Sequence, residues 1–213
     1  MVGVFESTKH YIALRFYPAC FHADFGYNTP AMLTQITYQA AKDRAAHHLE
    51  QAGVFLKPEE LEKIEVADFG LTDLARYGLE LFTYVNTARC CAKEIVLFPR
   101  QTCPEHRHPP IPSLNYAGKE ETFRCRAGAV YLYLPGAVTT EIGALIPRGE
   151  EQNFTVYHEY YLEAGDQVTI PADTLHWFQG GDEGAVVTEF STTSYDEHDI
   201  FTDGRVQRVT KVE

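Results

Sequence analysis

No run of apolar residues in this 213-residue chain approaches the length of about 18 that a membrane-spanning helix needs. Positive charge is scarce as well. Lys and Arg number 18 against 30 Asp and Glu, a net charge of −12 with His neutral. A chain this acidic is a poor partner for nucleic acid or for an anionic membrane face, so neither is expected to bind. There is no usable internal repeat, no low-complexity stretch and no Pro/Ser-rich linker. This argues against a solenoid or a string of loosely joined domains. Met1–Phe16 lacks a basic region leading into a long apolar core, so a secretory leader is not expected. The five cysteines, Cys20, Cys90, Cys91, Cys103 and Cys125, are odd in number and sparse for a disulfide scaffold. They read as reduced thiols in a cytoplasmic protein.

The composition is otherwise ordinary, with 45% apolar and 23% charged residues. That suits one globular domain with a sizeable core. Residues 1–27 are aromatic-rich and give no clear element. Asn28-Thr29-Pro30 reads as a helix start. Leu33, Ile36, Ala40, Ala41, Ala45, Leu49 and Ala52 then recur at helical spacing up to a stop at Gly53. Pro58-Glu59-Glu60 opens a shorter helix expected to run to about Glu65. Beyond Gly70 the texture changes to short runs rich in β-branched and aromatic residues. They are Leu79–Thr87, Cys91–Phe98, Glu121–Arg126, Ala129–Leu134, Asn153–Leu162, Gln167–Ile170, His176–Gln179 and Ala185–Ser191. Gly, Pro and Asp turns separate them, a rhythm that points to a sandwich or small barrel. The expected organisation is mainly β. Residues 1–70 form a helical extension packed on a β-barrel of residues 71–213, in one structural domain overall.

Nine histidines are present, and three of them sit in informative places. In Cys103-Pro-Glu-His106-Arg-His108-Pro-Pro, His106 and His108 are two apart, so in an extended segment both imidazoles project from one face. Neutral imidazole is a good ligand for divalent transition metals. The flanking prolines stiffen the segment. The second place is Gly165-Asp-Gln-Val-Thr-Ile-Pro171-Ala-Asp173-Thr-Leu-His176-Trp-Phe-Gln-Gly180, where a Pro-led turn sets His176 at the mouth of a strand. Taken alone, His176 reads equally as a core histidine beside Trp177.

Together these segments resemble the two motifs of the cupin superfamily. Gly165, Pro171 and His176 fall in register with the second motif, with Asp173 in place of its second Gly and Gly180 in place of its Asn. For the first motif, Glu121 lies at the required spacing before Gly128. Twelve residues separate it from His108, so Ile111–Gly118 reads as a loop inserted at the barrel mouth. Glu120 stays open as a rival to Glu121. The resemblance implies one divalent ion held by His106, His108, Glu121 and His176 in a single cupin-type barrel, a double-stranded β-helix.

More of the chain carries a narrower resemblance. Val66-Ala-Asp-Phe-Gly-Leu, Leu81-Phe-Thr-Tyr-Val-Asn-Thr, Gly118-Lys-Glu-Glu-Thr-Phe-Arg-Cys-Arg, Val130-Tyr-Leu-Tyr, Leu175-His-Trp-Phe-Gln and Glu189-Phe-Ser-Thr-Thr-Ser resemble the D-lyxose isomerase family over roughly residues 66–203. This implies a Mn2+-dependent aldose–ketose isomerase, interconverting D-lyxose with D-xylulose and often D-mannose with D-fructose, in a homodimer. Fe2+, Co2+, Ni2+ and Zn2+ suit the same ligands. Such an isomerase moves a proton between C2 and C1 through a cis-enediolate and needs a base. Glu189 is a charge in the otherwise apolar run Ala185-Val-Val-Thr-Glu-Phe, which is costly unless paired or functional. It is the candidate base, with a structural ion pair as the alternative. Lys119 is expected at the pocket rim, holding a sugar oxygen or acting as partner acid. Phe178, two residues after His176, is expected to wall the substrate pocket, with Glu120 near the substrate.

Arg124 and Arg126 are expected on the opposite face of their strand. Trp177 is expected under the N-terminal helices or a partner subunit. His47, His48 and His158 read as non-ligands, and Tyr195–Asp199 as a solvated loop, with closure over a neighbouring barrel by Glu197 or Asp196 as the alternative. An iron-dependent cupin dioxygenase and a non-catalytic sugar-binding cupin use the same four ligands and are the competing readings.

Overall fold

The computed structural model describes residues 33–213; the expected helix start at Asn28–Pro30 and Cys20 lie outside them. The first helix, α1, spans Gln35–Gln51. Thr34 caps it: its hydroxyl accepts the Thr37 N–H at 3.2 Å while Thr37 Oγ1 accepts the Thr34 N–H at 3.0 Å, satisfying donors that a helix start leaves orphaned. Ala41, Ala45 and Leu49 are buried at i, i+4, i+8. Ile36, expected in that seam, is 82% exposed because five residues at about 100° each turn it roughly 140° away from Ala41. Gly53, with φ +77°, stops the helix as expected.

The second helix, α2, is only Pro58–Leu61. The expected extension to Glu65 fails because Glu65 opens a strand, β1 (Glu65–Ala67), which pairs antiparallel with β2 (Leu79–Asn86). Val66 and Ala67 are fully buried there, and that burial outweighs the weak helical preference of the segment.

Seven further strands follow: β3 (Cys91–Leu97), β4 (Thr102–Arg107), β5 (Glu121–Leu134), β6 (His158–Glu163), β7 (Gln167–Ile170), β8 (His176–Ser191) and β9 (Ile200–Phe201). One path runs β1-β2-β3-β8-β4-β9, and β5 pairs with β6, β7 and β8. All of these pairings are antiparallel. The sheet curls into a barrel. Asn153–Leu162 does not form one strand: Glu151–Asn153 is a single 3-10 turn and the strand starts at His158.

Two long strands build the barrel. Each of β5 and β8 reads in sequence as two short strands broken by glycines, yet each is continuous, with register shifts at Cys125/Ala127 and Gly128/Val130. The glycines serve as bulges and not as turns. Gly128 has φ +69°, and a Cβ there would lie 2.0 Å from the Gly184 carbonyl oxygen. Only Gly permits the two long strands to approach this closely. The first half of β8 then pairs with β4 and the second half with β3, so one strand serves both sides of the barrel.

Strand alternation sorts side chains between two layers. Glu121, Phe123 and Cys125 point in, while Arg124 and Arg126 are exposed as expected. The inner core joins Leu81, Ile95, Phe123, Leu132, Phe178 and Val187. The outer layer packs Ala45 and Leu49 of α1 on Val66, Phe82, Val96 and Val186. Trp177 lies under neither helix. It stacks on Tyr133 at 3.9 Å, contacts Phe154, and donates its indole N–H to the Val156 carbonyl at 2.8 Å. The chain's own segment around residues 154–157 covers it. No helix among the described residues is long and apolar enough to cross a membrane.

Candidate metal centre and active site

The pairing of β4 with β8 sets His106 directly opposite His176. His108 follows one residue past the end of β4. The three histidines are buried, and one ring nitrogen from each lies within 4.8 Å of the others. Each ring is oriented from behind. His106 Nδ1–H donates to the Pro104 carbonyl at 2.8 Å, His176 Nδ1–H to the Thr174 carbonyl at 2.9 Å, and His108 Nδ1–H to the Asp199 carboxylate. That assignment leaves each Nε2 with a lone pair.

Glu121 enters from β5. Its Oε1 is 3.0 Å from His176 Nε2 and 3.4 Å from His108 Nε2. These three atoms, all deeply buried, have no hydrogen-bond partner. Acceptors facing one another in a dry site are costly, and a cation among them removes the cost. Three imidazoles and a carboxylate suit a divalent transition metal, so the donor set fits the ion that the sequence implied.

The charges are arranged to match. Burial, reinforced by His176 and His108, pushes His106 well below the ordinary histidine range, so it is neutral. Burial also opposes charge on His108, but Glu121 and Asp199 outweigh it and raise the pKa to about 9; a bound cation takes the place of that proton. Burial works against the Glu121 carboxylate too, yet Lys119 and His108 hold it well below the usual range. Lys119 is not at the rim. It is 4% exposed, its ammonium 2.7 Å from Glu121 Oε2 and 3.1 Å from Glu189 Oε1. Burial disfavours that charge, but Glu121 and Glu189 raise it well above the ordinary lysine range.

Glu189 lies on β8 between Lys93 of β3 and Phe123 of β5. Lys119 and the Ser191 hydroxyl, at 2.9 Å, both bond its Oε1. Glu189 and the four ligand candidates line one cavity, walled by Phe178, Ile95 and Phe201. Glu120 does not reach it. Its side chain is exposed, and its backbone N–H and carbonyl both bond Thr192, at 3.2 and 3.0 Å. Residues 119 and 121 face inward, so alternation turns 120 out, away from the histidines and the cavity.

Asp173, which stands where the resemblance expects a glycine, adopts the left-handed φ of +58°, a conformation Asp tolerates better than most residues. Ile111–Gly118 forms a closed loop, with Ile111 bridged to Tyr116 around a 3-10 turn. His158 bonds the Ala137 carbonyl and His48 packs on Phe98; neither joins the centre. Cys103 is fully buried, and burial pushes its thiol well above the usual range, which leaves it inert.

Lys93, Asp199 and Arg208 escaped sequence reasoning, and Asp196, weighed only as reaching a neighbouring barrel, lines the cavity of its own chain. Asp196 is no part of a solvated loop: its carboxylate lies 2.8 Å from Lys93 Nζ and 3.2 Å from Arg208 Nη2. Lys93 and Lys119, with Arg208, outweigh burial and hold Asp196 well below the ordinary range. Lys93 carried a usable signal, being a lone cation in the buried strand β3, the same argument that singled out Glu189. Asp199 and Arg208 carried none, since only long-range packing brings them here.

The family model described as "D-lyxose isomerase" matches residues 61–213. The chain belongs to the D-lyxose isomerase family. Membership places it among the isomerases. It is 56% identical over 181 residues to a D-lyxose ketol-isomerase of Thermofilum sp., covering 85% of this chain and 99% of that one. It is 53% identical over 182 residues to a D-lyxose/D-mannose isomerase of Thermosediminibacter oceani, with coverage of 85% and 99%. Among solved structures, an L-ribose isomerase of Geodermatophilus obscurus shares the fold, with TM-score 0.71 and 18% identity over 85% of this chain and 99% of that one.

Proposed function

We propose that this protein interconverts an aldose and its 2-ketose, D-lyxose with D-xylulose and D-mannose with D-fructose, using one divalent ion, Mn2+ foremost. The carrying observation is that the unpartnered donor atoms of His108, His176 and Glu121 face the same cavity as the Glu189 carboxylate. His106, His108, Glu121 and His176 would hold the ion. When bound, it supplies Lewis-acid polarisation of the sugar carbonyl and offsets the negative charge that develops on the substrate oxygens.

The chain's own groups do the rest. Glu189 takes the proton from C2 of the open-chain sugar and returns it to C1, passing the substrate through its cis-enediolate. Both of its contacts among the described residues fall on Oε1, which leaves Oε2 for the proton. Lys119 holds Glu189 in place and stands ready to donate to a sugar oxygen. Phe178 walls the pocket. A homodimer, a cytoplasmic location and a single structural unit complete the reading.

The test strips the protein of metal, restores Mn2+ and follows D-lyxose conversion in D2O. Deuterium is expected at C1 or C2 of the sugar. Glu189→Gln is expected to slow turnover by about 10²–10⁴-fold with Mn2+ uptake intact. Conversion with no solvent deuterium, a Glu189→Gln variant at wild-type rate, or oxygen uptake in place of isomerisation would defeat the proposal.

A further inference from the structure

The last strand brings an acid to the back of one ligand. In the pairing of β9 with β4, Phe201 lies opposite His106 and Ile200 opposite Arg107, so the next step in register sets Asp199 beside His108. The Asp199 carboxylate accepts the His108 Nδ1–H, and its side chain is 7% exposed. The Phe201 ring stacks on His106 at 5.3 Å and 28°. The turn before Asp199 is anchored by Asp196 to Lys93 at 2.8 Å, and the residue after Phe201 by its N–H to the Glu105 carbonyl at 2.9 Å.

The three histidines are therefore not held alike. His106 and His176 each use a carbonyl two residues upstream in their own segment, a local and neutral acceptor. His108 is oriented from 91 residues away, by a charged acceptor. Among the described residues Asp199 is the partner its Nδ1 has. A carboxylate behind a ligating imidazole fixes the tautomer, aims the ring and makes the other nitrogen a stronger donor to metal.

We propose that Asp199 is a positioning residue of the metal centre, locking His108 with its Nδ1 protonated and its Nε2 lone pair directed at the ion. The proposal rests on the reading of His108 as a ligand given above. It assigns to β9 a role in metal affinity, by setting the residue that precedes it, Asp199, behind His108.

The experiment measures Mn2+ affinity of metal-stripped full-length protein, wild type against Asp199→Ala and Asp199→Asn. Alanine removes the acceptor; asparagine keeps an acceptor oxygen without the charge. Affinity is expected to fall about 10- to 100-fold in Asp199→Ala and by less in Asp199→Asn. In Zn2+-loaded, ¹⁵N-histidine-labelled wild type, a slowly exchanging Nδ1–H is expected on His108. It persists in Asp199→Asn and is lost in Asp199→Ala, a change that a merely structural role would not produce. Equal affinity in wild type and both variants, with the His108 proton still protected in Asp199→Ala, overturns the assignment and leaves the metal reading standing. Wild type that takes up no Mn2+ overturns both.

Discussion

Three buried carboxylates differ only in what surrounds them. Glu121 is flanked by Lys119 and His108 and stays charged. Glu189 shares the same lysine. Glu80, on β2, is fully buried, with Gln101 Nε2 at 3.3 Å on one oxygen and no partner on the other. Burial outweighs the help of Gln101 and Arg44 and raises its pKa to about 8 from 4.5. A carboxyl raised on folding leaves stability intact below the unfolded value and removes it as pH climbs through the folded one. Glu80 therefore costs nothing near pH 4, progressively more between the unfolded value and about pH 8, and a constant amount above that. Glu80→Gln is expected to leave the urea midpoint unchanged near pH 4.5 and to gain on the order of a few kcal/mol at pH 9. A variant no more stable than wild type at pH 9 would show that Glu80 ionises without penalty.

At the scale of elements, β5 and β8 carry the site, and their length depends on glycines at the bulges. Gly128→Ala would put a Cβ 2.0 Å from a backbone oxygen at φ +69°. The left-handed strain costs about 1–2 kcal/mol, and backbone must also move. A loss of about 3 kcal/mol or more is expected in urea unfolding, among the larger effects of single substitutions; a loss below about 1 kcal/mol would mean that the two strands slide freely there. These strands also show where sequence reading stops. The alternation of Glu121, Phe123 and Cys125 was legible, as was the spacing of His106 and His108. The continuity of β5 through Gly128 and of β8 through Gly180–Gly184 was not, because a glycine bulge and a glycine turn look alike in one dimension. The two-residue β9 was equally hidden, since so short a strand exists only through its partner.

For the whole molecule, the proposed ion would be part of the fold's energetics. Four candidate ligands come from β4, its following residue, β5 and β8, so an ion that binds the folded state alone ties three strands together. At 100 times its dissociation constant such a ligand adds about 2.7 kcal/mol. At about 2–4 °C per kcal/mol for a chain of this size, saturating Mn2+ is expected to raise the melting temperature by roughly 5–11 °C. His176→Ala, measured by the same calorimetric scan, is expected to lose most of that rise. An equal Mn2+ shift in both proteins would place the stabilising ion elsewhere.

The chain's order of residues was enough for the β-rich class, the His106/His108 pair, His176 after its Pro-led turn, and Glu189 as a charge out of place in an apolar run. Each is a local pattern, set by side-chain periodicity or by a turn's backbone demands over a few neighbouring positions. Tertiary structure alone turned Glu120 out and Glu121 toward the histidines, buried Lys119 between two carboxylates, and brought Lys93, Asp196, Asp199 and Arg208 to the cavity. Those outcomes depend on register and on the charge balance of a dry interior, which exist only once distant segments are packed together.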